Sequence, residues 1–345
     1  MHNKSLFLSG VLMLLMGINQ AQTLFPKASY PMRVIFDTDF GPDYDDVGAI
    51  TILHCFADSG YIRILATMAS SKHKNVAAAI SVFNTYFNRP EIPIGVVRGD
   101  AVALGDRQHW TDSVISRYPH SIRNNQDAED ALVLYRKLLA AQPDHSVTII
   151  TVGFLTNLAN LLQSPKDQYS SLNGLELVSK KVVNLVCMAG RFPSGNEFNL
   201  SQDIRSSKKV LADWPTPILF SGFEIGQKIK TGIPLTHNDE IRKSPVKDVF
   251  AICIPMAQED SAGRMSWDET AVFVAVKGWQ NYYDLETGQC KINEDGINDW
   301  GQNGTHEAHL VEKMPPEQMS LVINLLIMHQ PMKTESPKRG SLAEK

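Results

Sequence analysis

The stretch RVIFDTDFGPDYDDVGAITIL, residues 33–53, decides how this chain is read. Apolar residues Val34, Ile35 and Phe36 run into five aspartates within ten positions: Asp37, Asp39, Asp43, Asp45 and Asp46. An apolar, helix-like run follows. Read as strand, turn and helix, the segment puts Asp37 and Asp39 where a buried strand ends and Asp45 and Asp46 where a helix begins. Two carboxylates about 4 Å apart repel by roughly 4 kcal/mol at an effective dielectric near 20. Either most of these acids splay into water or a cation sits among them. A helix N-terminus favours nearby negative charge by about 0.3–1 kcal/mol each. On that reading one of Asp45 and Asp46 is a cap and the other a first-turn charge. That accounts for one or two acids but not for the cluster.

Working outward, the same pattern recurs. Strand-like runs lie at 33–38, 62–68, 93–97, 146–153, 182–190 and 217–222. They are nearly continuous in apolar residues, as parallel strands covered on both faces are. Helical stretches such as VGAITILHCFA, NVAAAISVFNTYF and AEDALVLYRKLLAA separate them, and PEQMSLVINLLIMH closes the series. The alternation predicts an α/β fold, a single-domain open, mostly parallel central sheet flanked by helices, Rossmann-like in architecture. In such sheets ligands bind beyond the carboxyl ends of the strands, where Asp37 and Asp39 fall. There is no repeat and no convincing linker, so residues 22–330 form one domain.

The two ends read differently. MHNKSLFLSGVLMLLMGINQAQ has a basic start at Lys4, an apolar run from Leu6 to Ile18 and a small residue, Ala21, after it. Residues 1–21 therefore read as a secretory signal peptide. The run falls short of the ~20 residues of a membrane span, which ranks an uncleaved anchor second. The mature chain is expected to be exported, periplasmic or secreted, and free of the membrane once the leader is cut. Residues 331–345 are polar and charged and are expected to be a disordered tail.

Composition narrows the function. The chain of 345 residues is 43% hydrophobic and 20% charged, with a formal net charge of −4. That is ordinary globular material. It lacks the basic footprint of a nucleic-acid binder, so a small polar or neutral substrate fits better. The four cysteines, Cys55, Cys187, Cys253 and Cys290, show no C-x-x-C spacing and build no zinc or redox motif.

All candidate ligands in the opening segment are oxygens, which favours calcium or magnesium over zinc. An EF-hand fails because Gly41 stands fifth from Asp37, not sixth. An aspartyl-phosphate phosphatase also places D-x-D after its first strand, but Gly41 stands where its motif wants Thr or Val. Three later segments bear on the choice: TVGFLTNLANLL at 151–162, MAGRFPSGNEFNLSQD at 188–203 and SWDETAVFVAV at 266–276. Together with D-T-D-x-G-x-D-x-D-D, and in this order, they resemble the nucleoside hydrolase family, the inosine–uridine-preferring ribohydrolases. The resemblance spans roughly residues 33–276.

The resemblance implies one calcium ion at the floor of a ribose pocket, bound by Asp39, Asp46, the Thr156 carbonyl and Asp268. It implies that Asp45, Glu197 and Asn199 hold ribose hydroxyls, that Asp39 is the general base, and that Asp37 supports the set. Asp43 falls where spacing varies within the family. Calcium takes 6–8 oxygens, leaving room for a water and two sugar hydroxyls. Breaking an N-glycosidic bond builds an oxocarbenium-like sugar, which anionic neighbours favour. Attack from the face opposite the base predicts inversion at the anomeric carbon. Relatives commonly form homo-oligomers, which makes a homo-oligomer a candidate state here, though the sequence itself does not give the oligomeric state.

The chain departs from the family pattern in three places. Trp267-Asp268 stands where the better-known subgroup has His-Asp, and tryptophan stacks on a leaving base but does not titrate; a core role is the competing reading. S-G-N-E-F-N is compressed, with Asn196 the candidate for the sugar's 5′ side and Phe198 for a ring contact. After the second strand, Ser71 stands in for the family's Asn, with Asn75 as alternative. These departures keep open a hydrolase of another ribosyl or glycosyl conjugate, and more remotely a phosphatase or a non-catalytic calcium-dependent sugar-binding protein. Four features take bland readings: THEAH at 305–309 as a surface loop or rim, NEDGIND at 293–299 as a solvated turn, His109-Trp110 as surface, and Asp203 as a helix N-cap.

Overall fold

The computed structural model describes Phe25, residues 30–304 and residues 306–332. The expected signal peptide and residues 333–345 of the expected tail lie outside the described residues. No described helix is long and apolar enough to cross a membrane.

The strands are β1 (Met32–Thr38), β2 (Ile62–Ala69), β3 (Ile94–Val96), β4 (Glu129–Asp130), β5 (Val147–Thr151), β6 (Val182–Met188), β7 (Ser194–Asn196), β8 (Ile218–Ser221), β9 (Lys230–Thr231), β10 (Arg264–Met265), β11 (Tyr283–Ile292), β12 (Ile297–Gly301) and β13 (Glu307–Glu312). All but β9 and β10 join one sheet in the order β4-β3-β2-β1-β5-β6-β8-β13-β11-β12-β7. Pairing is parallel from β4 through β13. It is antiparallel from β13 through β11 and β12 to β7. The six strands expected from sequence are β1, β2, β3, β5, β6 and β8.

Their continuous apolar runs have a direct cause. Successive residues of a strand face opposite sides, and both sides here are packed. Val34 and Phe36 of β1 enter one hydrophobic cluster, and Ile35 enters the other. In β6, Val186 and Met188 enter the first, with Leu185 and Cys187 in the second.

Three readings need correction. Within THEAH, residues from Glu307 onward are not a loop but the start of β13, laid between β8 and β11 with Ala308 and Leu310 buried. Trp110 is not a surface residue; it is fully buried, its indole donating to the Asp43 carbonyl at 3.1 Å. Of NEDGIND, only residues 293–296 form the β11–β12 turn, where Asn293 Oδ1 accepts from the Asp295 and Ile297 amides; residues 297–299 belong to β12, with Asn298 buried, and are not a solvated turn. The closing helix is Pro316–Ile327. All four cysteines are free thiols.

The topology locates a crevice. From β1 the chain moves outward through β2, β3 and β4, then returns to β5 on the other side of β1. The strand order therefore reverses between β1 and β5, at whose carboxyl ends α/β sheets bind ligands. Gly153, just past β5, closes tightly on this point: a Cβ there would stand 2.5 Å from the Asp39 amide nitrogen.

Candidate active site

β1 delivers Asp37, Thr38 and Asp39 to the crevice, and a turn through Gly41 (φ +142°) leads to the helix Asp45–Asp58. Tyr44 stands at the N-cap without a side-chain cap bond, so neither Asp45 nor Asp46 caps the helix; both lie in its first turn. Asp37, Asp39, Asp45, Asp46 and Asp268 are all buried. Asp268 enters from the first turn of the helix Trp267–Lys277, more than two hundred residues along the chain.

The acids press on one another. Burial, then the charges of Asp46, Asp43 and Asp45, push the Asp39 carboxyl well above its usual range. Asp268 is driven the same way by burial and by Asp45, Asp46, Asp43 and Asp39. Asp46 is pushed up to about 7 by burial and by Asp45. Thr38 Oγ1 donates to Asp46 Oδ1, while Asp46 Oδ2 is buried with no partner. Asp39, Asp46 and Asp268 thus share one electrostatic neighbourhood. Asp37 stands behind them, accepting from the Tyr135 hydroxyl at 2.8 Å and from Asn157 Nδ2 at 3.1 Å. Burial pushes Asp37 up to about 7.

A cation does sit among these acids, and it belongs to the protein. Arg264 Nη2 lies 2.6 Å from Asp43 Oδ2 and 2.8 Å from Asp45 Oδ1, and Nη1 lies 3.7 Å from Asp260. Its guanidinium also stacks over Tyr44 at 4.9 Å and Trp267 at 5.1 Å. Asp45 Oδ2 accepts from the Asp268 amide at 3.3 Å, so both of its oxygens are engaged within the protein. Sequence reasoning passed over Arg264, because two of its partners, Asp43 and Asp45, lie some 220 positions away. It also passed over Glu269, which is fully buried with neither oxygen bonded.

The E-F-N segment builds the opposite wall. Glu197 caps the helix Phe198–Gln202, accepting from the Asn199, Leu200 and Gly190 amides at 2.8, 3.1 and 3.1 Å. Asn199 Nδ2 ties the ends of β5 and β6 together through Val152 O at 2.8 Å and Met188 O at 3.1 Å. Phe198 is 42% exposed at the mouth. Between the walls lies a cleft of about 260 Å³. Asp39, Asp43, Asp45 and Asp268 line it, with Glu197, Phe198 and Asn199 opposite and Phe223, Arg264 and Trp267 to one side.

Four expected residues do not line this cleft. Asp46 is buried and absent from its lining. Ser71 is buried, its hydroxyl accepting from the His73 amide. Asn196, on β7, donates to Gly296 O at 3.2 Å. Thr156 opens the helix Thr156–Gln163, its hydroxyl donating to Asp203 at 2.5 Å. Asp203 also accepts from the Ser206 amide, capping the next helix as expected. Asn75, the alternative to Ser71, bonds Asp112 at 2.7 Å.

Trp267 forms an aromatic wall with Phe223, the ring centroids 5.1 Å apart. Its indole N–H already donates to the Phe223 carbonyl at 2.8 Å, so it offers a surface and not a proton. As for a metal, the acids fit one by chemistry: all donors are oxygens, the repulsion among them is unrelieved on the Asp39–Asp268 side, and one buried Asp46 oxygen has no partner. Among the described residues no three His, Cys, Asp or Glu side chains are already set as ligands around one point.

Residues 34–323 match the family described as inosine-uridine preferring nucleoside hydrolase. No curated protein matches the sequence. Among solved structures, a plant nucleoside hydrolase is 19% identical with a TM-score of 0.66, over 86% of this chain and 99% of that one. The purine-preferring ribonucleoside hydrolase from Gardnerella vaginalis is 15% identical with a TM-score of 0.67, over 86% and 98%. The type III effector protein XopQ, complexed with adenosine diphosphate ribose, is 14% identical with a TM-score of 0.63, over 91% and 96%. At these identities the structures show a shared fold.

Proposed function

Because the chain belongs to the inosine-uridine preferring nucleoside hydrolase family and is an N-glycosyl hydrolase, we propose that it hydrolyses the N-glycosidic bond of ribonucleosides with calcium bound among its acids. The observation that carries this reading is the meeting of Asp39 and Asp268, from distant parts of the chain, in one acidic cleft at the sheet's switch point. Asp39, Asp46, Asp268 and the Thr156 carbonyl would hold the ion. When bound, it supplies Lewis acidity and open coordination positions for oxygen.

The chain's own residues do the rest. Asp39, at the end of β1 and lining the cleft, takes the proton from the attacking water. The acids below the sugar favour the positive charge that develops on it. Asn199 borders the sugar from the opposite wall. Phe223 and Trp267 stack against the departing base. The product sugar is inverted.

Incubation of the mature protein with calcium and a panel of nucleosides, read as free base by chromatography, tests the reaction. Base release is expected to cease on exhaustive chelation and to return with calcium. Asp39→Asn is expected to slow it by on the order of 10²–10⁴-fold. Release that persists undiminished after chelation removes the metal from the reading. No free base from any nucleoside removes the substrate class.

A second reading, a different ribosyl conjugate as substrate, is favoured by Trp267, whose N–H is taken up by Phe223. The likeness to an effector structure that contains adenosine diphosphate ribose points the same way. Export after cleavage near residue 22, and assembly into a homo-oligomer, complete the proposal. Exposed Leu321 and Leu325, one turn apart on the closing helix, support assembly. N-terminal sequencing of the exported protein and light scattering check the two.

A further inference from the structure

A second cavity, of about 510 Å³, adjoins the cleft. The two share Asp43 and Phe198 as lining residues, so the chamber borders the cleft that holds Asp39 and Asp268. Pro42 and the loop Leu104–Arg107 form one side; Phe198 and Gln202 form the other.

The charges in this chamber are unevenly matched. Asp43 is paired with Arg264 at 2.6 Å. Asp106 is buried and accepts from the Gln108 amide at 3.0 Å and from the Thr111 amide and hydroxyl at 2.7 and 2.9 Å. Both carboxylates therefore already have donors. Arg107 is exposed, and among the described residues it pairs with no carboxylate and makes no hydrogen bond. A guanidinium with all its donors free, set in a concavity beside a sugar site, favours an anion with a planar or tetrahedral array of oxygens. Phe198 and Leu104 supply the apolar surface for whatever links that anion to the sugar.

The geometry points to an anion subsite: Arg107 receives a phosphate or carboxylate carried by the glycosyl substrate, either on the sugar or on the leaving group. The inference rests on the proposed function only in seating the sugar at Asp39 and Asp268. It makes the preferred substrate an anionic ribosyl compound in place of a neutral nucleoside.

Calorimetric titration of the calcium-loaded protein with ribose, ribose 5-phosphate, uracil and orotate tests it. None of these contains an N-glycosidic bond, so the result does not depend on turnover. A sugar-borne anion predicts that ribose 5-phosphate binds about tenfold tighter than ribose, the scale of a charge-assisted hydrogen bond. A leaving-group anion predicts the same ratio for orotate over uracil. In Arg107→Ala the ratio is expected to fall to about one, and Arg107→Lys is expected to keep part of it. If neither anion binds tighter than its neutral counterpart, including the case where nothing binds, the subsite is overturned. It is equally overturned if the preference survives in Arg107→Ala. A chain that releases no base from nucleosides yet shows the Arg107-dependent ratio keeps the subsite and loses only the nucleoside reading.

Discussion

Arg264 reconciles a dense acid cluster with a folded core. Its guanidinium is buried with Asp43, Asp45 and Asp260 around it. Breaking a buried ion pair by removing one partner costs about 3–5 kcal/mol, because the remaining charge is left without compensation. Arg264→Met is accordingly expected to lower unfolding free energy by about that amount in urea denaturation. Arg264→Lys is expected to recover only a fraction, since a point charge cannot bridge Asp43 and Asp45 as a fork does. At Trp267 the expectation is different. Its N–H is fixed to a carbonyl and does not titrate, so Trp267→Phe should leave the pH profile of base release unchanged in shape. A displaced acidic or basic limb in that variant would assign the indole a part in proton transfer.

At the level of elements, the site depends on how closely the ends of β1 and β5 approach. Gly153 allows that contact: a Cβ would meet the Asp39 amide nitrogen at 2.5 Å and the Asp39 Cβ at 2.8 Å. The first obstacle is backbone and cannot swing away. Gly153→Ala is expected to cost about 1–3 kcal/mol of stability and to displace Asp39 enough to reduce activity more than stability alone explains. Thermal unfolding and kcat measured on the same preparation check both. The E-F-N helix shows the same economy of structure. Glu197 caps it with three backbone amides, so its carboxylate holds the wall that carries Phe198 and Asn199.

Across the whole molecule, the sheet runs from the acidic crevice to an antiparallel end made by β11, β12, β13 and β7. Glu307 on β13 reports on that far end. Burial pushes its carboxyl up to about 7, against a weaker lowering by the Cys290 amide. Its folded value therefore lies above its unfolded one. The contribution to stability is fully present below about pH 4.5 and is lost as pH rises through 7, a change on the order of 3 kcal/mol. Unfolding free energy is expected to decline over that range, and Glu307→Gln to flatten the decline. A slope that persists unchanged in the variant would place the titration elsewhere.

Most of this architecture was legible along the chain because it rests on short-range pattern. Parallel strands packed on both faces must be apolar at every position, as Val34, Ile35 and Phe36 are. The acids at the end of β1 needed only the strand, the turn and the helix start to be placed. The β11–β13 region was illegible for the opposite reason. Its strands mix buried and exposed positions, and Glu307 and His309, polar in sequence, are buried by neighbours far along the chain. What the sequence determined was the fold class, the crevice and the acids that follow β1. Only the tertiary structure decided that Arg264 lies between Asp43 and Asp45, that Glu197 is held by backbone amides, and that Arg107 is left with its donors free. Charge pairing is a property of distance in space, and Arg264 meets Asp43 and Asp45 only once the fold brings positions some 220 residues apart together.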